Sequence, residues 1–130
     1  MVIATPLLCL TMAIYFEARS EPEYGQILVA NTIENRVRSN SYPNNYCDVV
    51  TQNKQFSFFN DASESNELKV RDMKTWNKIK TLAENYLDDL YLEMEYSGCH
   101  YHNNTVNPRW AKKLKPSKVV GHHKFYEGGC

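Results

Sequence analysis

No charged residue interrupts positions 2 to 16, and this run, Val2 to Phe16, constrains the fold more than any other part of the chain. At about 15 residues it falls short of the roughly 20 that a membrane-spanning helix needs. It carries neither a basic leading region nor a small-residue cleavage site, so it does not read as a signal peptide. What remains is a helix buried in a core, with the rest of the chain wrapped round it. Thr5 and Pro6 supply a start, a capping side chain followed by a proline in the first turn, and Leu7, Leu10 and Ile14 then recur at helical spacing. The expectation is a protein with no membrane insertion and no export signal of its own.

A second helix is predicted from Pro22 to Val37, with Ile27, Ala30, Ile33 and Val37 on one stripe. A loop rich in Ser, Asn and Pro follows from Ser39 to Asn45, then a short helix over Tyr46 to Gln52. Residues 60 to 69 read as a polar surface loop. Val70, Met73, Trp76, Ala83, Tyr86, Leu87, Leu90 and Met94 keep a helical rhythm, which predicts one long helix ending near Gly98. Beyond it, Cys99 to Tyr101 and His122 to Tyr126 read as a small antiparallel pair bridged by a long loop. The predicted fold class is α+β, mainly helical, in a single domain over residues 1–130. A chain of 130 residues with 42% hydrophobic residues is long enough for one such core and too short for two domains.

Fifteen basic residues balance fifteen acidic ones, which excludes the cationic bias of a protein that mainly grips nucleic acid. The balance is uneven: residues 97 to 130 hold six basic residues and one acid, so this stretch either faces an anionic polymer or is simply a solvated basic face. Cys9, Cys47, Cys99 and Cys130 include no CxxC pair, which speaks against structural zinc. Four cysteines allow three pairings, and the redox state stays open.

The stretch most informative about chemistry is AIYFEARSEPEYGQILVANTIENRV, residues 13 to 37. Glu17 follows Ile14, Tyr15 and Phe16, and a carboxyl desolvated by such neighbours has a raised pKa, as a general acid requires. The plain alternative is a helix-edge Glu paired with Arg19. Glu21 lies one turn further on, either capping the second helix or pairing with Arg36, and the roles of Glu21 and Glu23 stay open. In CDVVTQNKQFSFF, Gln55 and Ser57 alternate with Phe56 and Phe58, presenting groups that both donate and accept hydrogen bonds, as sugar hydroxyls demand. His100, His102 and His123 make a metal site conceivable, yet no HExxH or similar ligand pattern accompanies them. Tyr101, Trp110 and Tyr126 add flat rings that suit either core packing or sugar stacking.

Taken together, four blocks resemble the signature of SleB-type cell-wall hydrolases, the spore cortex-lytic family. They are YFEARSEPEYGQILVANTIENRV, YPNNYCDVVTQNKQFSF, GCHYHNNTVNPRWA and VVGHHKFYEGG, in the family's order, and they span about residues 9 to 126. The resemblance implies a lysozyme-like, lytic-transglycosylase-like domain that acts as a monomer on peptidoglycan glycan strands at the bacterial cell wall, without metal or other cofactor. It implies that Glu17 is the acid and base at the linkage between N-acetylmuramic acid and N-acetylglucosamine, cleaved by a lytic transglycosylase or a muramidase. It places Gln55, Ser57, Tyr101, His102, Trp110 and His123 along the glycan cleft. Ser20 stands where the family usually has Gly, and Phe58 where it often has Trp. With no wall-binding repeats attached, the chain looks more like a bacteriophage endolysin made in a host cytoplasm than a spore protein. Two rivals are a metal-dependent amidase or peptidase built on His100, His102 and His123, and a non-enzymatic wall-binding module.

Overall fold

The computed structural model describes residues 5–52, 70 and 72–130. Gln55, Ser57 and Phe58, and the polar stretch 60–69, lie outside the described residues.

Helix α1 (Pro6–Ala18) forms where its start signals place it, with Thr5 Oγ1 accepting the Leu8 N–H at 3.1 Å and Pro6 in the first turn. It is apolar on most sides because most of its surface is covered, with Leu10, Ala13 and Ile14 wholly inaccessible. Helix α2 (Glu23–Arg38) starts at Pro22 and buries every residue from Gly25 to Glu34. Gln26 Nε2 donates at 3.0 Å to the Ala18 carbonyl, which also accepts the Glu21 N–H, and so locks the turn between the two helices. Helix α3 (Tyr46–Val50) is capped by Asn45, and α4 (Met73–Leu87) by Asp72, whose carboxylate takes the Thr75 N–H. Tyr15, Tyr86, Phe125 and the aliphatic side chains of α1, α2 and α3 fill the core.

The long helix expected to run on to Gly98 stops at Leu87. Asp89 adopts a left-handed φ of 62°, which Asp tolerates and which ends a helix, and a short 3-10 turn follows at Leu92–Met94. Leu90 and Met94, counted in the helical rhythm, are more than two-fifths exposed. Long-range bonds reward the break: the Tyr86 hydroxyl donates to Glu95 at 3.0 Å and Tyr96 N–H to Asn31 Oδ1 at 2.7 Å. Asn35 and Arg36 of α2 then hold the next segment by its carbonyls at Tyr96, Gly98 and Cys99.

The expected strand pair is a sheet of three strands, β1 (His100–Asn103), β2 (Lys118–Val120) and β3 (His123–Tyr126), in the order β1-β3-β2 and antiparallel throughout. The added strand comes from the end of the predicted loop, where Gly121, at φ 56°, turns the chain so that Val120 pairs with His123. Two disulfides, Cys9–Cys47 and Cys99–Cys130, tie α1 to α3 and the entry of β1 to the last residue.

At Gly98 the backbone crosses that of Gly128, and a methyl group here would sit 1.9 Å from the Tyr126 carbonyl oxygen. Gly98→Ala is expected to cost about 3 kcal/mol or more, since a rigid backbone cannot yield as a flexible side chain does. A urea unfolding midpoint equal to the wild type would refute this.

Candidate active site

Glu17 occupies the last turn of α1, half-buried between Phe16 and Ala18. Burial pushes its carboxyl up to about 7. Among the described residues it has no hydrogen-bond or ion-pair partner. Arg19, the alternative partner, turns away and lies 5.1 Å over the Tyr15 ring. A carboxyl in this state holds its proton near neutral pH, and none of the described residues occupies its oxygens.

One wall beside Glu17 is the inner face of the sheet. Tyr101 pairs with Phe125 and Asn103 with His123, so these four side chains share the face toward the helices. The Tyr101 ring is 5.1 Å from that of His123, and its hydroxyl is held well above its usual pKa by burial and by the nearby Glu17 charge.

Glu21 departs from both expected roles. It neither caps α2 nor pairs with Arg36, whose Nε donates to the Cys99 carbonyl and whose guanidinium lies over Tyr42. Instead its buried carboxylate reaches the β2–β3 turn. The His122 N–H donates to Oε1 at 2.6 Å, His122 Nδ1 lies 2.9 Å from Oε2, and His123 Nδ1 is 3.7 Å from Oε1. Gly121 makes room, because a Cβ there would come within 2.7 Å of that same Oε1. Burial drives the Glu21 pKa upward, but the His122 hydrogen bonds and the charges of His123 and His122 outweigh it, leaving the group below the ordinary carboxylate value. A depressed folded pKa contributes stability above the unfolded value that is lost as pH falls through the folded one. Glu21→Ala is therefore expected to destabilise the protein by about 1–3 kcal/mol at pH 7 and by less under acid. Thermal melts of both proteins across that range check the trend. No local signal reveals this contact, since Glu21 and His122 are 101 residues apart. Glu23 is exposed in the first turn of α2, where a carboxylate suits the helix dipole.

The structure divides the residues expected along one cleft. Strand alternation sends His102, with His100 and Tyr126, to the outer face, and Trp110 stands against them at 5.1–5.7 Å between ring centres. Tyr101 and His123 are thus near Glu17 and Glu21, while His102 and Trp110 are on the other side of the sheet. The same register corrects the metal alternative: His123 points away from the face that carries His100 and His102. Among the described residues no three His, Cys, Asp or Glu side chains are grouped to hold a metal ion. No helix among them is long and apolar enough to cross a membrane.

A sequence profile for cell wall hydrolases matches residues 20–126, beginning just after Glu17. A spore cortex-lytic enzyme of Bacillus cereus is 29% identical over 113 residues, 87% of this chain, and the chain spans about 40% of that relative. The catalytic domain of the Bacillus cereus SleB protein superposes with a TM-score of 0.68 at 26% identity, covering 94% of this chain and 89% of that one. The catalytic domain of the germination-specific lytic transglycosylase SleB from Bacillus anthracis gives 0.69 at 26% identity, covering 97% of both. These solved structures share the arrangement of a helical body with a small antiparallel sheet. With the profile matching far more than half of its length, the chain belongs to the cell wall hydrolase family.

Proposed function

We propose that the protein cleaves peptidoglycan glycan strands between N-acetylmuramic acid and N-acetylglucosamine, with Glu17 as the one group that moves the proton. The observation that carries this reading is the Glu17 carboxyl itself, half-buried, unpartnered among the described residues and shifted to about 7 beside the half-buried Tyr101. The relative named as a lytic transglycosylase supports the reaction type.

In the first step Glu17 gives its proton to the glycosidic oxygen as the bond from the anomeric carbon to that oxygen breaks. In the second, the muramoyl 6-hydroxyl attacks the same carbon and its proton passes to the Glu17 carboxylate. The acid is restored and no water is consumed. Because one carboxyl serves both steps, the reading requires no second carboxylate at the glycosidase spacing. Glu21 fits a supporting role, since its oxygens are already occupied by His122. Tyr101 and His123 would form one wall of the cleft, and Gln55 and Ser57 would contribute polar contacts to the sugar.

The test is mass spectrometry of soluble fragments released from purified peptidoglycan. Fragments lighter by one water carry a 1,6-anhydro end and support the internal attack. Reducing ends would make the enzyme a muramidase, and free peptides would overturn the assignment of Glu17. The rate is expected to fall as pH rises through about 7, where Glu17 loses the proton it must donate. A flat profile of kcat/KM from pH 6 to 9 would exclude it as the acid.

A further inference from the structure

We infer that the outer face of the sheet carries a second carbohydrate site, separate from the Glu17 cleft, that holds a neighbouring peptidoglycan strand through its acidic, peptide-bearing sugars. This rests on the wall as the protein's substrate, but not on the chemistry at Glu17.

A hollow of about 360 Å³ opens on that face, lined by His100, Trp110, Leu114, Tyr126, Glu127 and the Gly128–Gly129 backbone. Its size is at the lower end of ligand pockets, roughly 300–1,000 Å³. The Trp110 indole stands edge-on to the His100 and Tyr126 rings, so the sheet supports it while 40% of the residue stays exposed. Leu114 is 52% exposed in the same hollow. Single exposed apolar side chains are ordinary, but two that line one concavity mark a binding surface. A flat ring beside a glycine backbone that brings no side chains suits a pyranose.

Charge narrows the occupant. Arg109, Lys112, Lys113 and Lys115, all exposed, bracket Trp110 and Leu114 in sequence. The one acid in residues 97 to 130, Glu127, is already engaged by the Ser97 N–H at 2.9 Å and the Ser117 hydroxyl at 3.0 Å. Four basic residues against this one lining carboxylate leave the neighbouring chain net cationic and the hollow mostly apolar, complementary to a sugar that carries carboxylates on its peptide. A lipid surface would call for a flat apolar face rather than a recess. Since His100 and Tyr126 point to the side of the sheet opposite Tyr101, a ring seated here belongs to a strand other than the one at Glu17.

The experiment is co-sedimentation with purified sacculi stripped of phosphate polymers, using the Glu17→Gln full chain so that nothing is cut. Leu114→Asp, and separately Lys113→Glu with Lys115→Glu, are each expected to weaken binding at least tenfold at low salt. Both changes are at exposed positions, and the lysine pair tests the charge without touching the apolar lining. In proteins that keep Glu17, the rate on sacculi should fall relative to the rate on short soluble glycan fragments. Undiminished sedimentation of both variants, binding only to sacculi that retain phosphate polymers, or binding to anionic vesicles in place of sacculi each overturns the proposal. Failure of the cleavage reading looks different: the Glu17 protein releases no fragments while sedimentation still responds to both variants.

Discussion

Glu17→Gln is expected to lower cleavage of peptidoglycan by about 10²- to 10⁴-fold, the range that a positioned general acid contributes. The same change should stabilise the protein in mild alkali. The folded state holds the Glu17 proton up to about 7, against 4.5 for an unperturbed glutamate, so between those values folded molecules bind more protons than unfolded ones. A carboxyl whose folded pKa is raised supports the fold below its unfolded pKa, and that support is lost as pH rises through the folded value. By pH 8 the ionised, half-buried carboxylate costs at most about 3 kcal/mol, reduced by its remaining contact with water. Glutamine is neutral at every pH and avoids this cost. Melting temperatures of the two proteins should therefore coincide near pH 4 and separate by pH 8, with the inactive variant higher. An inactive variant that melts together with the wild type at pH 8 would show that Glu17 is not desolvated.

The second large effect concerns the cross-links. Cys9–Cys47 closes a separation of 38 residues and Cys99–Cys130 one of 31. Restricting an unfolded chain by loops of these lengths is worth about 4 kcal/mol for each bridge. Domains of this size have only about 5–15 kcal/mol in total, so losing both bridges removes much of what holds the fold together. Reductant, or Cys→Ser at both pairs, should shift the urea midpoint sharply downward. Losing Cys9–Cys47 should also lower activity, because it anchors α3, directly ahead of the segment with Gln55 and Ser57. Equal urea midpoints with and without reductant would remove these bridges from any account of stability.

Local chemistry made the first half of the fold readable. Thr5, Pro6, Pro22 and Asn45 act within a turn of themselves, and the bounds of α1 and α2 follow from them. The raised pKa of Glu17 was equally local, a carboxyl placed after an apolar run. Periodicity failed where a competing contact was remote. Leu90 and Met94 fit a helical rhythm, but Asp89 could turn left-handed and Tyr96 had Asn31 to reach, 65 residues earlier. The third strand was hidden because Lys118–Val120 becomes a strand only when β3 lies beside it. The cleft was legible in part. A run such as HYH sends its residues alternately to two faces, but which face meets the helices depends on packing that only the assembled sheet decides. His102 and Trp110 therefore read as companions of Tyr101 although the sheet lies between them.

The tie between Glu21 and the β2–β3 turn has a mechanical consequence. The β2–β3 turn is fastened to the connection between α1 and α2, just after Glu17, and β1 is fastened to β3 by pairing, so both ends of residues 104–117 are pinned to one rigid frame. That loop bulges out between fixed points. A change in its length or charge would leave the position of Glu17 relative to the sheet the same.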